Sequence, residues 1–171
     1  MKRMMMVLVG ACLVASLPLV AQQSSIKVEL KDLQGASVGT ATLSPAAGAG
    51  VSIALDVKNL PPGDHAFHVH QMAVCEPPFA TAGPHFNPEG KKHGLENPLG
   101  SHAGDMNNFT VGADGTAKIT VMNKQVTLGA GANSVFANGG TSLVIHAKAD
   151  DLKTDPAGNA GDRIACGVIA K

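Results

Sequence analysis

Tryptophan and tyrosine are absent from this chain, and phenylalanine occurs only five times. A core made of large rings is therefore excluded, and the interior must rest on Val, Ile, Leu, Ala and the few Phe. Charge of either sign is scarce at 15% of residues, with 13 basic groups balancing 13 acidic ones. No basic excess exists to coat nucleic acid, which sets that class of function aside. Apart from a run at the N-terminus, no stretch sustains an apolar period of 3.6, so amphipathic helices are not expected. Cysteine is also rare, at three residues. What is abundant is turn-forming residues: 20 Gly and 10 Pro among 171 residues. That proportion implies many turns between short elements, in a length that suits one domain with a real core.

The N-terminus reads as a leader. Lys2 and Arg3 precede the apolar run MMMVLVGACLVASLPLVA, and polar QQSS follows. A basic region, an apolar region and a small residue before a polar step describe a secretory signal peptide, with cleavage after Ala21. Residues 1–21 are then the signal and 22–171 the functional domain. The run is short and broken by Pro18, which argues against a transmembrane anchor. VGAC at 9–12 loosely resembles a lipoprotein cleavage box that would leave Cys12 lipidated, the weaker reading because the apolar region ahead of it is so short. Cleavage at Ala21 removes two basic residues and no acidic one, and leaves Cys75 and Cys166 as the only thiols. An even pair in an exported domain points to a disulfide, with two buried free thiols as the alternative. Closing so long a loop stabilises by roughly 4–5 kcal/mol in the chain-entropy picture.

Beyond the leader the pattern has period two. Ile26, Val28 and Leu30 alternate with Lys27, Glu29 and Lys31 across 25–32, and Val51, Ile53, Leu55 and Val57 alternate with smaller or polar residues across 51–58. Such alternation predicts half-buried strands. Shorter strands are predicted at 38–43, 65–70, 117–122, 142–147 and 164–169, and GADG at 112–115 predicts a hairpin-type turn. The fold class is all-β, a sandwich or barrel. Two segments, 71–107 and 147–163, are too long for ordinary connections, and loops of that length in a compact domain are usually functional.

Three of the seven histidines, His85, His93 and His102, lie with Asp105 in the first of those segments. Surface decoration is the bland reading. A metal-organised loop with three nitrogens and one oxygen is the sharper one. In HVH at 68–70, His68 and His70 project to one face of a strand and can reach the same ion. His146 ends the apolar run SLVI on another predicted strand, and imidazoles from two strands suit copper or zinc. His65 is expected to be structural, with its ring hydrogen-bonded to backbone.

Together GDHAFHVH, AGPHFNPEGKKHG, SHAGD, IHAKADD and GNAGDRIACGVI make the chain, over about 26–171, resemble copper/zinc superoxide dismutases of the bacterial exported type. The resemblance implies an eight-stranded Greek-key β-sandwich or barrel with a long metal loop and a long electrostatic loop. It implies dismutation of superoxide to oxygen and hydrogen peroxide by a redox-cycling copper joined through a histidine to a structural zinc. By position, copper falls to His68, His70, His85 and His146, and zinc to His85, His93, His102 and Asp105, with one ion of each per subunit. Asp150 is implied as the carboxylate linking a zinc-site histidine to a copper-site histidine. Cys75–Cys166 is implied as the intrachain disulfide, and Arg163 as the cation that attracts the anionic substrate, His85 and Arg163 being the catalytic pair. No nucleic acid or membrane partner is implied for the mature form, a homodimer is left open, and the setting is periplasmic or secreted.

The match has departures. Ala66 and Ala73 stand where the family usually has Gly, Asn107 replaces a common Gly, and EPPFATA resembles the longer insertions of bacterial members. Pro156 and Ala157 occupy positions where some members carry Lys and Thr near the channel, leaving Lys153 as the candidate substitute charge. These changes bear on the steering field more than on the chemistry. Of the rival readings, a copper or zinc carrier without turnover conflicts with the full set of copper candidates plus Arg163. A plain adhesive sandwich leaves the HxH, the loop spacing and the cysteine pair unexplained.

Overall fold

The computed structural model describes residues 24–171. The leader at 1–21, its cleavage after Ala21 and the alternative at Cys12 lie outside the described residues. Nine strands follow in order: β1 (Ile26–Asp32), β2 (Ser37–Pro45), β3 (Val51–Val57), β4 (Gly63–His65), β5 (Phe67–His70), β6 (Phe109–Val111), β7 (Ala117–Asn123), β8 (Thr141–His146) and β9 (Arg163–Ile169). The fold is all-β, and its only helical pieces among the described residues are two short 3-10 turns at Ala80–Ala82 and Ala137–Gly139. Seven strands form one curled antiparallel sheet in the order β5-β8-β9-β1-β2-β3-β7, and β4 pairs with β6 in a second.

Alternation explains the long strands. In β3 the side chains of Val51, Ile53, Leu55 and Val57 are buried while Ala54 and Asp56 face outward. Each fully buried aliphatic side chain of this kind stabilises by about 1.5–3 kcal/mol. They meet Leu30, Leu43, Phe67, Leu143, Ile145 and Ile169 in one core. By contrast β8 is buried at all six positions. Leu143 and Ile145 face that core, while Val144 lies in a second small cluster with Phe79, Ala82 and Cys166 on the other side of the sheet. This second cluster is where the first long loop is pinned: Cys75 and Cys166 are joined, with Cα atoms 5.7 Å apart and a sequence separation of 91.

The expected eight strands appear as nine because 65–70 is split. Ala66 donates its N–H to Lys148 O at 2.8 Å and accepts from His146 N at 3.0 Å. Those bonds interrupt the run, so β4 joins β6 while β5 joins β8. The turn at 112–115 forms, with Gly112 N–H donating to Thr116 O at 2.9 Å. Its two flanking strands nevertheless part, β6 to one sheet and β7 to the other. Both predicted long loops are present, and a third runs from 124 to 140 with only a 3-10 turn inside it.

Candidate metal centre

Six of the seven histidines converge where the two predicted loops fold over β5 and β8. His68, His70, His85 and His146 form one group, and His85, His93, His102 and Asp105 another; within each, the potential ligand atoms lie within 4.8 Å of one another, and every member is buried. His85 belongs to both. His65 is the exception among the histidines: its ring nitrogens lie 2.7 Å from the carbonyls of His146 and Pro61, the structural role expected of it.

Hydrogen bonding decides which nitrogen of each ring is left to bind something. His70 donates from Nδ1 to Gly83 O at 2.8 Å, and His146 from Nδ1 to Gly161 O at 3.2 Å. Their Nε2 atoms therefore carry lone pairs, yet they face each other at 3.3 Å. Beside them, His68 Nδ1 and His85 Nε2 are buried with no partner. Four buried nitrogen acceptors turned toward one point are costly alone and satisfied by one cation. The donor set, all imidazole, suits copper.

The second group has mixed donors. Asp105 Oδ2 accepts the N–H of Gly94 at 2.8 Å and of His102 at 3.0 Å. That leaves Oδ1, which lies 2.9 Å from His85 Nδ1, 3.1 Å from His93 Nδ1 and 3.3 Å from His102 Nδ1. Three nitrogens and one carboxylate oxygen, closed from water, suit structural zinc. Asp150 joins the two groups: Oδ2 accepts from His68 Nε2 at 2.7 Å and Oδ1 from His93 Nε2 at 2.9 Å. Both rings are thereby held with Nδ1 as the free nitrogen. Gly158 is required here, because at its φ of 63° a Cβ would run into the Asp150 carboxylate and the His93 ring.

Titration follows from burial and charge. Desolvation lowers His85 to about 4, against the opposing pull of Asp105, and lowers His146 to about 3. His70 is driven well below the usual imidazole range, again first by burial. For His93 burial acts downward too, but hydrogen bonds donated to the Asp105 and Asp150 carboxylates outweigh it and raise the group to about 9. Burial alone would raise Asp105 and Asp150; their histidine partners hold both well below the usual carboxylate range.

Arg163, at the start of β9, donates from Nη1 to Phe79 O at 2.6 Å and from Nη2 to Gly83 O at 2.8 Å. Partial burial lowers its pKa somewhat. Lys153, the candidate substitute charge, pairs with Glu96 on the exposed surface, Nζ to Oε2 at 2.8 Å. Several residues with supporting roles were not apparent in the sequence. Asn108 holds the Asp150 backbone from both sides, donating to its O and accepting from its N at 2.8 Å each. Asp155 accepts the His93 N–H at 2.8 Å, and Gln125 donates to Ser101 Oγ at 2.6 Å and His102 O at 3.3 Å. Polar residues in loops give no local signal of such distant partners.

An all-β sandwich whose loops bring two adjoining sets of imidazole and carboxylate ligands together, sharing one histidine, is the scaffold of a two-metal protein. The family model for copper/zinc superoxide dismutase matches residues 37–169. The chain is 49% identical to superoxide dismutase (Cu-Zn) 2 of Aquifex aeolicus, with 99% of each chain covered, and 48% identical to superoxide dismutase (Cu-Zn) 1 of that organism, over 88% of this chain and 90% of the other. Among solved structures it is similar to a superoxide dismutase-like protein from Bacillus subtilis, at 36% identity with a TM-score of 0.80 over 83% of this chain and 96% of that one. It is also similar to the Cu/Zn superoxide dismutase of Brucella abortus, at 30% identity with a TM-score of 0.70 over 85% and 99%. The chain belongs to the copper/zinc superoxide dismutase family, enzymes whose cofactors are copper and zinc.

Proposed function

We propose that this enzyme dismutes superoxide outside the cytoplasm, with copper held by His68, His70, His85 and His146 and zinc by His85, His93, His102 and Asp105. The observation that carries the reading is His85: buried, with Nδ1 directed at the second group and an unpartnered Nε2 in the first, it is built to join two cations. Two superoxide anions and two protons become one oxygen and one hydrogen peroxide. Copper supplies the one-electron chemistry when bound, and zinc, having no redox change, supplies order. The residues do the rest. Arg163 stays cationic at any working pH and holds the small anion. His85 holds a proton at Nε2 whenever that nitrogen is not serving as a ligand, and delivers it toward the product side. Asp150 keeps the His68 and His93 rings in one tautomer, and Gly83 O fixes the His70 ring. Export follows from the leader at 1–21, and the Cys75–Cys166 bridge fits an oxidising compartment.

The test is superoxide decay followed by pulse radiolysis with residues 22–171 loaded with both metals. First-order loss of superoxide that scales with enzyme is the expected result. No turnover at full occupancy of both metals would replace this reading with that of a metal carrier.

A further inference from the structure

The loop at 147–162 carries two lysines, Lys148 and Lys153, of which one is paired. Lys153 is paired with Glu96 at 2.8 Å, and Lys92, which reaches this loop from the other, with Asp155 at 2.9 Å. Beside the proposed anion-holding residue runs an open groove of about 570 Å³, lined by Leu33, Pro78, Ala80, Gly161, Asp162 and Arg163. Its lining holds one cation and one carboxylate, on adjacent residues. Asp162 is exposed, and its backbone is fixed, since Asp162 O accepts the Ala147 N–H at 2.8 Å while Lys148 N donates to Ala160 O at 2.9 Å. The exposed Lys148 lays its aliphatic stem over Gly161, 3.3 Å from where a Cβ would stand, but forms no ion pair with an acidic group among the described residues. Two of the guanidinium donors of Arg163 are engaged by carbonyls, and the charged residues that line the groove are Arg163 and Asp162, with the Lys148 stem beside Gly161.

We propose that Asp162 sets the rate of anion capture at Arg163, its carboxylate lowering the attraction of that guanidinium for small monovalent anions and flattening the salt dependence of the enzyme. The proposal rests on the reading of Arg163 as the residue that holds superoxide. In a water-like dielectric, a unit charge at roughly 7 Å changes local anion concentration about threefold at low salt. The effect is screened as the Debye length falls from about 30 Å at 0.01 M to about 3 Å at 1 M.

The variants Asp162→Asn and Asp162→Ser, loaded with copper and zinc and checked for metal content, test it in two independent ways. Pulse radiolysis across that salt range is expected to give second-order constants about threefold above the parent at 0.01 M, converging with it at 1 M. Azide, a small monovalent anion, titrated against the visible absorption of the copper-loaded protein, is expected to bind about threefold more tightly at low salt. Asp56→Asn, a charge change on β3 far along the sheet, is expected to match the parent. Rates and azide affinities equal to the parent at every salt concentration in both Asp162 variants would overturn the proposal. A parent without turnover would overturn the dismutase reading instead, while the azide titration would still decide the role of Asp162.

Discussion

At the scale of single residues, the centre is organised by which ring nitrogen carries a proton. In the metal-free chain His93, raised to about 9, is cationic at pH 7.5, whereas His85 at about 4 and His146 at about 3 are neutral. A ligand histidine must be neutral, so metal binding displaces whatever proton is held there. Zinc uptake at pH 7.5 is therefore expected to release about one proton from His93, fading as pH rises through 9, while copper uptake displaces none from His85 or His146. Calorimetry in two buffers of different ionisation enthalpy reads the difference; equal release by the two metals would contradict it. The ligand candidates were legible because HxH on a strand and histidines massed in a turn-rich loop are local patterns. Asn108, Gln125 and the pairing of Lys153 with Glu96 were not, since each depends on a partner that only the folded loops bring near.

At the scale of elements, the strand signals translated well where one face is buried. The alternation of 51–58 became β3 to within a residue. Period two failed to foresee the break at Ala66, because the bonds that split the run come from Lys148 and His146, far along the chain. It also failed to send β6 and β7 to different sheets, since a turn motif fixes local geometry and not the partner of each arm. The long loops depend on covalent and polar ties instead of alternation. Removing the bridge with Cys75→Ser and Cys166→Ser together is expected to destabilise by roughly 4–5 kcal/mol. In a domain of this size that lowers the melting temperature by roughly 10–20 °C. A calorimetric melt of the fully metal-loaded double variant that matched the parent would show that metals alone hold the loop.

At the scale of the whole molecule, stability and metal content are one property, because the ligands tie the first long loop to β5 and β8, and Asp150 ties the second to two of those ligands. Chelation is expected to lower the melting temperature and to leave it strongly pH-dependent. His85 and His146 have folded pKa values below the usual 6.5, so their contribution is full above 6.5 and is lost as pH falls toward 4 and 3. His93 has the opposite sign: its contribution is full below 6.5 and is lost as pH rises through about 9. The metal-free melting temperature is therefore expected to peak near pH 6.5 and fall on both sides, and a flat profile between pH 4 and 9 would refute the assignment. One peptide oxygen then gives the two halves of the site a shared reference. Gly83 O accepts from His70 at 2.8 Å and from Arg163 at 2.8 Å. When the loop breathes, the imidazole and the guanidinium are carried in the same direction, so the gap between them varies less than the position of either. The tolerance that matters to an incoming diatomic is held by a single carbonyl, much as two gears keep their mesh when cut to one datum.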